Sequence, residues 1–181
     1  MIIEQTSLVD CFVITPQVYF DDRGYFLESF NSRTFKEHTQ LEIDFVQDNR
    51  SVSSKGVLRG LHFQTEPHAQ AKLVTVLRGS VLDVCVDLRP NSSTFGKHFS
   101  IVLTEETKQQ LFIPRGFAHG FLVLEDNTMF SYKCDNYYNK DSEEGIIYND
   151  PTLNIDWGID HNNIIISEKD ANLPTFDSRF L

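Results

Sequence analysis

Residues 72–88 read KLVTVLRGSVLDVCVDL, two apolar runs that meet at Arg78 and Gly79. Valine and leucine dominate both halves, and β-branched residues at this density favour extended backbone over helix. Cys85 within the second run reads as a small buried hydrophobe. Working outward, the runs VDCFVIT, GYFLESF and VLRGLHF precede this stretch, and FSIVL, QLFIP, GFLVL and TMFSYKC follow it. Each has strand length and strand composition. The segments between them, DDRG, RPNSSTFG, EDN and NKDSEEG, carry the glycine, proline, asparagine and aspartate that turns require. One helix is expected in the N-terminal half, over SRTFKEHTQ, with Asn31 or Ser32 as its N-cap. Many short strands with little helix predict an all-β sandwich or barrel of the jelly-roll kind, whose mouth is a natural small-molecule site. No repeat, low-complexity tract or linker divides residues 1–181, so a single domain is expected.

Composition narrows the function classes. The 181 residues are 40% hydrophobic and include 15 Phe, enough for a globular core. The formal net charge is −10, from 16 Lys and Arg against 26 Asp and Glu. Such a surface repels polyanions and argues against nucleic acid as a partner. A small anionic ligand would need a local cluster of cations that overrides the global field. Cys11, Cys85 and Cys134 are odd in number and widely spaced, which gives neither a disulfide framework nor a Cys-type zinc site. The chain has no 18-residue apolar span, and its start, MIIEQTSLVDCF, lacks a basic leader region. A soluble cytoplasmic protein without a membrane partner is the expectation.

Residues 57–64, VLRGLHFQ, interrupt a strand pattern with Arg59, Gly60 and His62. Strict alternation puts Arg59 and His62 on opposite faces. A bulge or close backbone approach at Gly60 would bring them to the same side. The alternative is an edge strand with one solvated arginine and one hydrogen-bonded core histidine. Downstream, Ile113–Phe121 reads IPRGFAHGF and carries a second strand-borne histidine, His119. Its PxGxxH core resembles the second half of the cupin signature. The first half of that signature carries HxH for a shared metal, whereas here the residue two after His62 is Gln64. A metal centre needs three or more placed ligands, so it is disfavoured. Free imidazoles suited to proton transfer remain.

The strings DDRGYFLESFN, FVQDNRSVSSKGVLRGLHFQ, QAKLV, GSVLDVCVDLR, STFGKH, QLFIPRGFAHGF, YKCDNYY and EKDANLP resemble, in order, the dTDP-4-dehydrorhamnose 3,5-epimerases. The similarity spans about Thr15 to Pro174. It implies a metal-free cupin jelly-roll barrel that needs no cofactor and takes a dTDP-sugar as substrate. It further implies inversion of carbons 3 and 5 of dTDP-4-dehydro-6-deoxy-D-glucose, a step of dTDP-L-rhamnose biosynthesis. Both carbons flank a 4-keto group, so each proton leaves to give an enolate.

By the same resemblance His62 is the base, Asp170 the carboxylate that fixes its tautomer, Tyr132 the acid on the opposite face and Lys72 the cation beside the enolate. Arg23 and Arg59 match diphosphate-binding positions, as guanidinium forks suit phosphate oxygens. Glu28, Gln47 and Asn49 match positions near the nucleoside, and His119 and Lys169 match other ligand contacts. In NKDSEEG the substrate-contacting residue is expected at Glu144, with Glu143 as rival. Arg78, Arg89 and Arg115 are further candidate pocket walls, with turn or rim roles favoured for the first two. The resemblance also implies a homodimer whose N-terminal strands cross, with Arg23 and Glu28 serving the neighbouring pocket. Alternatives are a single-site 3- or 5-epimerase, a 3,4-ketoisomerase, a metal-dependent cupin oxygenase or a non-catalytic sugar-binding cupin.

Overall fold

The computed structural model describes residues 1–180. Among them, thirteen strands follow one another: β1 (Ile2–Gln5), β2 (Phe12–Thr15), β3 (Val18–Asp21), β4 (Gly24–Leu27), β5 (Gln47–Ser53), β6 (Leu58–Gln64), β7 (Lys72–Arg78), β8 (Ser80–Asp87), β9 (His98–Thr104), β10 (Gln110–Ile113), β11 (Phe117–Val123), β12 (Thr128–Cys134) and β13 (Glu143–Gly145). Three short helices accompany them, α1 (Ser32–Thr39), α2 (Glu168–Ala171) and α3 (Phe176–Phe180). The expected helix is α1, capped by Asn31, whose side chain accepts from the Arg33 and Thr34 N–H groups. None of these helices is long and apolar enough to cross a membrane.

The strands form a six-stranded antiparallel sheet in the order β1-β2-β10-β7-β12-β5 and a five-stranded one in the order β13-β6-β11-β8-β9. Val74 and Val76 of β7, Leu111 and Ile113 of β10, and Phe130 of β12 meet Val81, Cys85, Leu103, Phe117, Phe121 and Val123 of the second sheet in one buried cluster. The sheets therefore pack face to face as a jelly-roll sandwich. They share no strand and do not close into the barrel that was expected.

Each sheet is also covered outside. Phe35 of α1 packs on Phe12, Ile14, Leu73 and Phe112 behind the six-stranded sheet. Ile146, Leu153, Trp157 and Phe176, from the segment after β13, cover Leu58, Leu61, Val84, Val86, Ala118 and Leu122 behind the five-stranded one. That double cover explains why every residue of β11 is buried and why its sequence shows no polar alternation. The hairpin β3–β4 stands apart as its own two-stranded sheet, with Tyr19, Phe20, Tyr25 and Phe26 all exposed.

Candidate active site

A cleft of about 670 Å³ opens between the sheets and is lined by Asn49, Arg50, Arg59, His62, Lys72, His119, Tyr132, Lys169 and Asp170, among others. Two glycines shape its floor. A Cβ on Gly60, whose φ is +117°, would lie 2.6 Å from the Gly120 Cα, and a Cβ on Gly120 would lie 2.7 Å from the Arg59 carbonyl oxygen. Only glycine permits β6 and β11 to approach this closely there. The pairing slips at that point: His119 lies opposite His62, and Phe121 lies opposite Arg59. Three residues of β6 thus span what two span on β11, so Arg59 and His62 both face the cleft. β6 is also paired on both sides, by β13 and β11, so VLRGLHFQ is not an edge strand.

His62 Nε2 lies 2.8 Å from Asp170 Oδ1. The other oxygen, Oδ2, accepts from the Gly60 N–H at 3.1 Å. Asp170 sits on α2, where Ser167 caps the helix by accepting from the Asp170 N–H. Burial opposes ionisation of Asp170, but the bonds from His62 and Gly60 outweigh it and hold the carboxyl below its usual range. The carboxylate is therefore charged and fully committed, and it orients an imidazole that is 28% exposed toward the cleft. That is the geometry of a general base with its orienting group.

Tyr132 enters the same cleft from β12, on the opposite sheet. Burial pushes its phenol upward, with Arg59 opposing in part, so the group is protonated and able to donate. Lys72 Nζ stands 5.9 Å from the centre of the Tyr132 ring. Burial lowers the Lys72 ammonium, while Cys134, Asp83 and Glu143 pull the other way. His119 Nε2 meets Asp83 Oδ2 at 2.9 Å in a sealed pair, and Asp83 Oδ1 has no hydrogen-bond partner among the described residues.

Past His62 and Lys72 the cleft continues into an annex of about 150 Å³ lined by Gln47, Tyr138 and Glu143. Tyr138 Oη donates to Glu143 Oε2 at 3.0 Å, and Lys169 Nζ donates to the same oxygen at 2.6 Å. Gln47 Nε2 donates to Asn49 Oδ1 at 3.0 Å, which aligns the two amides. Four cations (Arg50, Arg59, Lys72 and Lys169) against the single carboxylate of Asp170 line the main cleft, so it offers an anion a positive site on an acidic protein.

Of the residues singled out from sequence, His62, Lys72, Tyr132, Asp170, Asn49, Arg59, His119 and Lys169 line the main cleft, and Gln47 lines the annex. Arg23 does not join them: it sits at the tip of the β3–β4 hairpin, 90% exposed and paired with Asp21. Glu28 follows the same hairpin and accepts from Asn31. Glu144 points away and accepts from Nε and Nη2 of Arg179, so its rival Glu143 is the acidic residue at the annex. Successive strand residues face opposite sides, and one residue of loop length decides between them. Arg78 donates to the Asn127 carbonyl, Arg89 is paired with Asp87 and Asp10, and Arg115 with Asp135; none lines the cleft. Sequence reasoning missed Tyr138 and Gly120, although both lie inside quoted strings, because neither residue type signals a ligand alone. Among the described residues no three His, Cys, Asp or Glu side chains converge as a metal ion would need.

Comparison with known proteins finds close relatives along the whole chain. A sequence model described as dTDP-4-dehydrorhamnose 3,5-epimerase matches residues 5–178. The dTDP-4-dehydrorhamnose 3,5-epimerase of Shigella flexneri is 49% identical over 168 residues, covering 93% of this chain and 92% of that protein. The crystal structure of the enzyme of that name from Elizabethkingia anophelis superposes with a TM-score of 0.97 at 54% identity, covering 100% of this chain and 99% of that one. The dTDP-6-deoxy-D-glucose-3,5-epimerase of Legionella pneumophila, crystallised with dTDP-4-keto-L-rhamnose, gives a TM-score of 0.92 at 45% identity over 99% of this chain and 96% of that one. With that model matching nearly the whole chain and relatives near half identity along it, the chain belongs to the dTDP-4-dehydrorhamnose 3,5-epimerase family.

Proposed function

We propose that this protein converts dTDP-4-dehydro-6-deoxy-D-glucose to dTDP-4-dehydro-L-rhamnose by inverting carbons 3 and 5. The observation that carries the reading is the placement of His62 and Tyr132 on opposing sheets across one cleft. Epimerisation needs a base on one face of the sugar and an acid on the other. His62 takes the proton beside the 4-keto group, and the electron pair moves onto the 4-oxygen as an enolate. Lys72 stabilises that charge in a site shielded from water. Tyr132 then delivers its phenolic proton to the opposite face of the same carbon, and the keto group re-forms. Asp170 holds the imidazole tautomer throughout and stabilises the imidazolium.

Arg59 binds the diphosphate, while Gln47 and Asn49 meet the thymine edge. Lys169, His119 and Glu143, in place of Glu144, contact the rest of the ligand. Residues 1–181 act as one catalytic domain, in the cytoplasm, where its three free thiols stay reduced. The working form is a homodimer in which Arg23 and Glu28 complete the partner's cleft. The support is the projecting hairpin, whose Phe20 and Phe26 are 75% and 70% exposed and have nothing to cover them within one chain.

The test is incubation with dTDP-4-dehydro-6-deoxy-D-glucose in D2O, read by NMR. Wild-type protein should give product labelled and inverted at both carbons. Tyr132→Phe should still form the enolate, so substrate acquires label from His62 without inversion. Inversion at one carbon only makes the protein a single-site epimerase. Near wild-type inversion by Tyr132→Phe removes Tyr132 as the acid.

A further inference from the structure

Spacing along the chain predicts no disulfide framework, yet the fold brings two of the three free cysteines together. Cys11 stands just before β2 in one sheet, and Cys85 lies on β8 in the other. Their Sγ atoms are 3.7 Å apart inside the buried cluster that joins the sheets, and both residues are 0% exposed. Cys134 is engaged elsewhere, where its sulfur accepts from Asn49 Nδ2 at 3.7 Å. The two paired cysteines are held differently. β8 is paired on both sides, with Cys85 opposite His119 of β11 and Phe99 of β9. Cys11 instead ends a turn over residues 7–10, closed by the Thr6 N–H, which donates to the Cys11 carbonyl at 2.9 Å. Arg89 holds that turn through the Val9 carbonyl and the Asp10 carboxylate. A turn opens at less cost than a strand paired on both sides.

We propose that Cys11 and Cys85 are a latent disulfide, which a small hydroperoxide closes to staple the two sheets together. The sheets share no strand, so the bond adds a covalent tie where side-chain packing alone joins them. A disulfide sets its sulfurs about 2 Å apart, so rotation about the two χ1 angles closes a gap of about 1.7 Å. Cys11 reacts first, as its turn opens. Its sulfur attacks one peroxide oxygen: the O–O bond breaks, an S–O bond forms, and the departing hydroxide takes the thiol proton as water. The Cys85 sulfur then attacks the Cys11 sulfenic acid. The S–S bond forms, the S–O bond breaks, and the second hydroxide leaves with the Cys85 proton as another water. Each sulfur gives up one electron, and the peroxide gains two. Burial and the neighbouring Cys11 push the Cys85 thiol up, which makes it a poor first nucleophile and leaves it the resolving role. Joining residues 74 apart removes chain entropy from the unfolded state, so the stapled protein melts higher.

The staple is independent of the reaction proposed above. The test is treatment of the folded wild-type protein with hydrogen peroxide, followed by unfolding in guanidinium, alkylation of the remaining thiols and measurement of the intact mass. Untreated protein takes up three alkyl groups. Treated protein should lose two hydrogens and take up a single alkyl group, on Cys134. Digestion without reductant should yield one peptide pair joined through Cys11 and Cys85, which dithiothreitol separates. The melting temperature should rise by about 5 °C or more and fall back on reduction. Cys85→Ala should show neither the joined peptides nor the shift under the same treatment. If that variant does not fold, Cys11→Val, which keeps the apolar volume, takes its place. Three alkyl groups after treatment overturn the proposal, and so does oxidation that stops at sulfenic or sulfinic acid. A bridge that includes Cys134 or a second molecule overturns it too, as does one formed only after circular dichroism shows the fold lost. A Cys11–Cys85 bridge that leaves the melting temperature unchanged refutes the staple.

Discussion

Two imidazole–carboxylate pairs face each other across neighbouring strands, and they are built differently. His62 and His119 are direct register partners on β6 and β11. The carboxylate of His62 comes from α2, more than a hundred residues later in the chain, whereas that of His119 comes from the adjacent strand β8. In the first pair both oxygens are satisfied and the imidazole meets the cleft. In the second, His119 is 6% exposed and Asp83 is sealed, with one oxygen unpartnered. Burial lowers the proton affinity of His119 further than Asp83 restores it, so the ring is neutral and shows the cleft only a small part of its surface. A base that must take a proton and exchange it with water belongs in the first setting. The second ring serves as a fixed wall of the cleft. Environment, more than residue identity, separates the two roles.

The sharpest way to break this contrast is to remove each imidazole in turn. His62→Ala should reduce turnover by about 10²–10⁴-fold, the usual cost of a positioned base, with a melting temperature near wild type. His119→Ala should do the reverse. It strands the Asp83 carboxylate in the core and should destabilise the protein by about 3 kcal/mol, with a smaller loss of turnover. Turnover assays and thermal melts on both variants decide it, and an exchange of the two phenotypes would reverse the assignment.

The carboxylates should diverge by a smaller margin. In Asp170→Asn the amide N–H faces the imidazole nitrogen that the carboxylate had held, so the wrong tautomer is favoured. Turnover should fall about 10²-fold with substrate affinity nearly kept. Asp83→Asn is isosteric and removes a buried charge, so turnover should stay within about tenfold and stability within about 1 kcal/mol. Equal losses of turnover in both variants would show that the sealed pair also takes part in proton transfer. On the same strand as His62, Arg59→Ala should weaken dTDP about tenfold, and less at high salt, since a charged fork on the diphosphate is lost. Calorimetric titration measures this, and unchanged affinity would return Arg59 to a solvated strand position.

Much of this was legible in the sequence, for identifiable reasons. Strands with an apolar face, such as β7, β8 and β12, announce themselves by composition. β5 does not: its sequence QDNRSVS turns one face to the cleft and the other outward, so neither carries an apolar stripe. β13 is too short for any pattern. His62 and His119 stood out as imidazoles in apolar runs, but Asp170 looks like an ordinary helix-start residue, and only the path of the segment after β13 brings it to His62. Arg23 was singled out only through the resemblance, as a diphosphate contact, and within one chain it pairs with Asp21 and stays outside the cleft.

The smallest expected effect separates the pairs by pH. Burial depresses His119 in the folded protein, so the unfolded chain binds that proton first. Its contribution to stability is fully present above the unfolded value, about 6.5, and is lost as pH falls toward the folded one. Asp170 is also depressed, but from a carboxylate reference, so its contribution is complete above about pH 4 and is lost only as pH falls further. Each group adds a slope of at most about 1.4 kcal/mol per pH unit within its own window. Denaturant unfolding between pH 7 and 3 should therefore show two limbs. His119→Asn should flatten the limb that begins near neutrality and leave the acidic one. Asp170→Asn should make only the acidic limb shallower, since Asp87 and Glu143 are held low as well and keep part of it. If His119→Asn leaves the upper limb as steep as in wild type, His119 is not sealed in solution, and the contrast between the two imidazoles fails at its base.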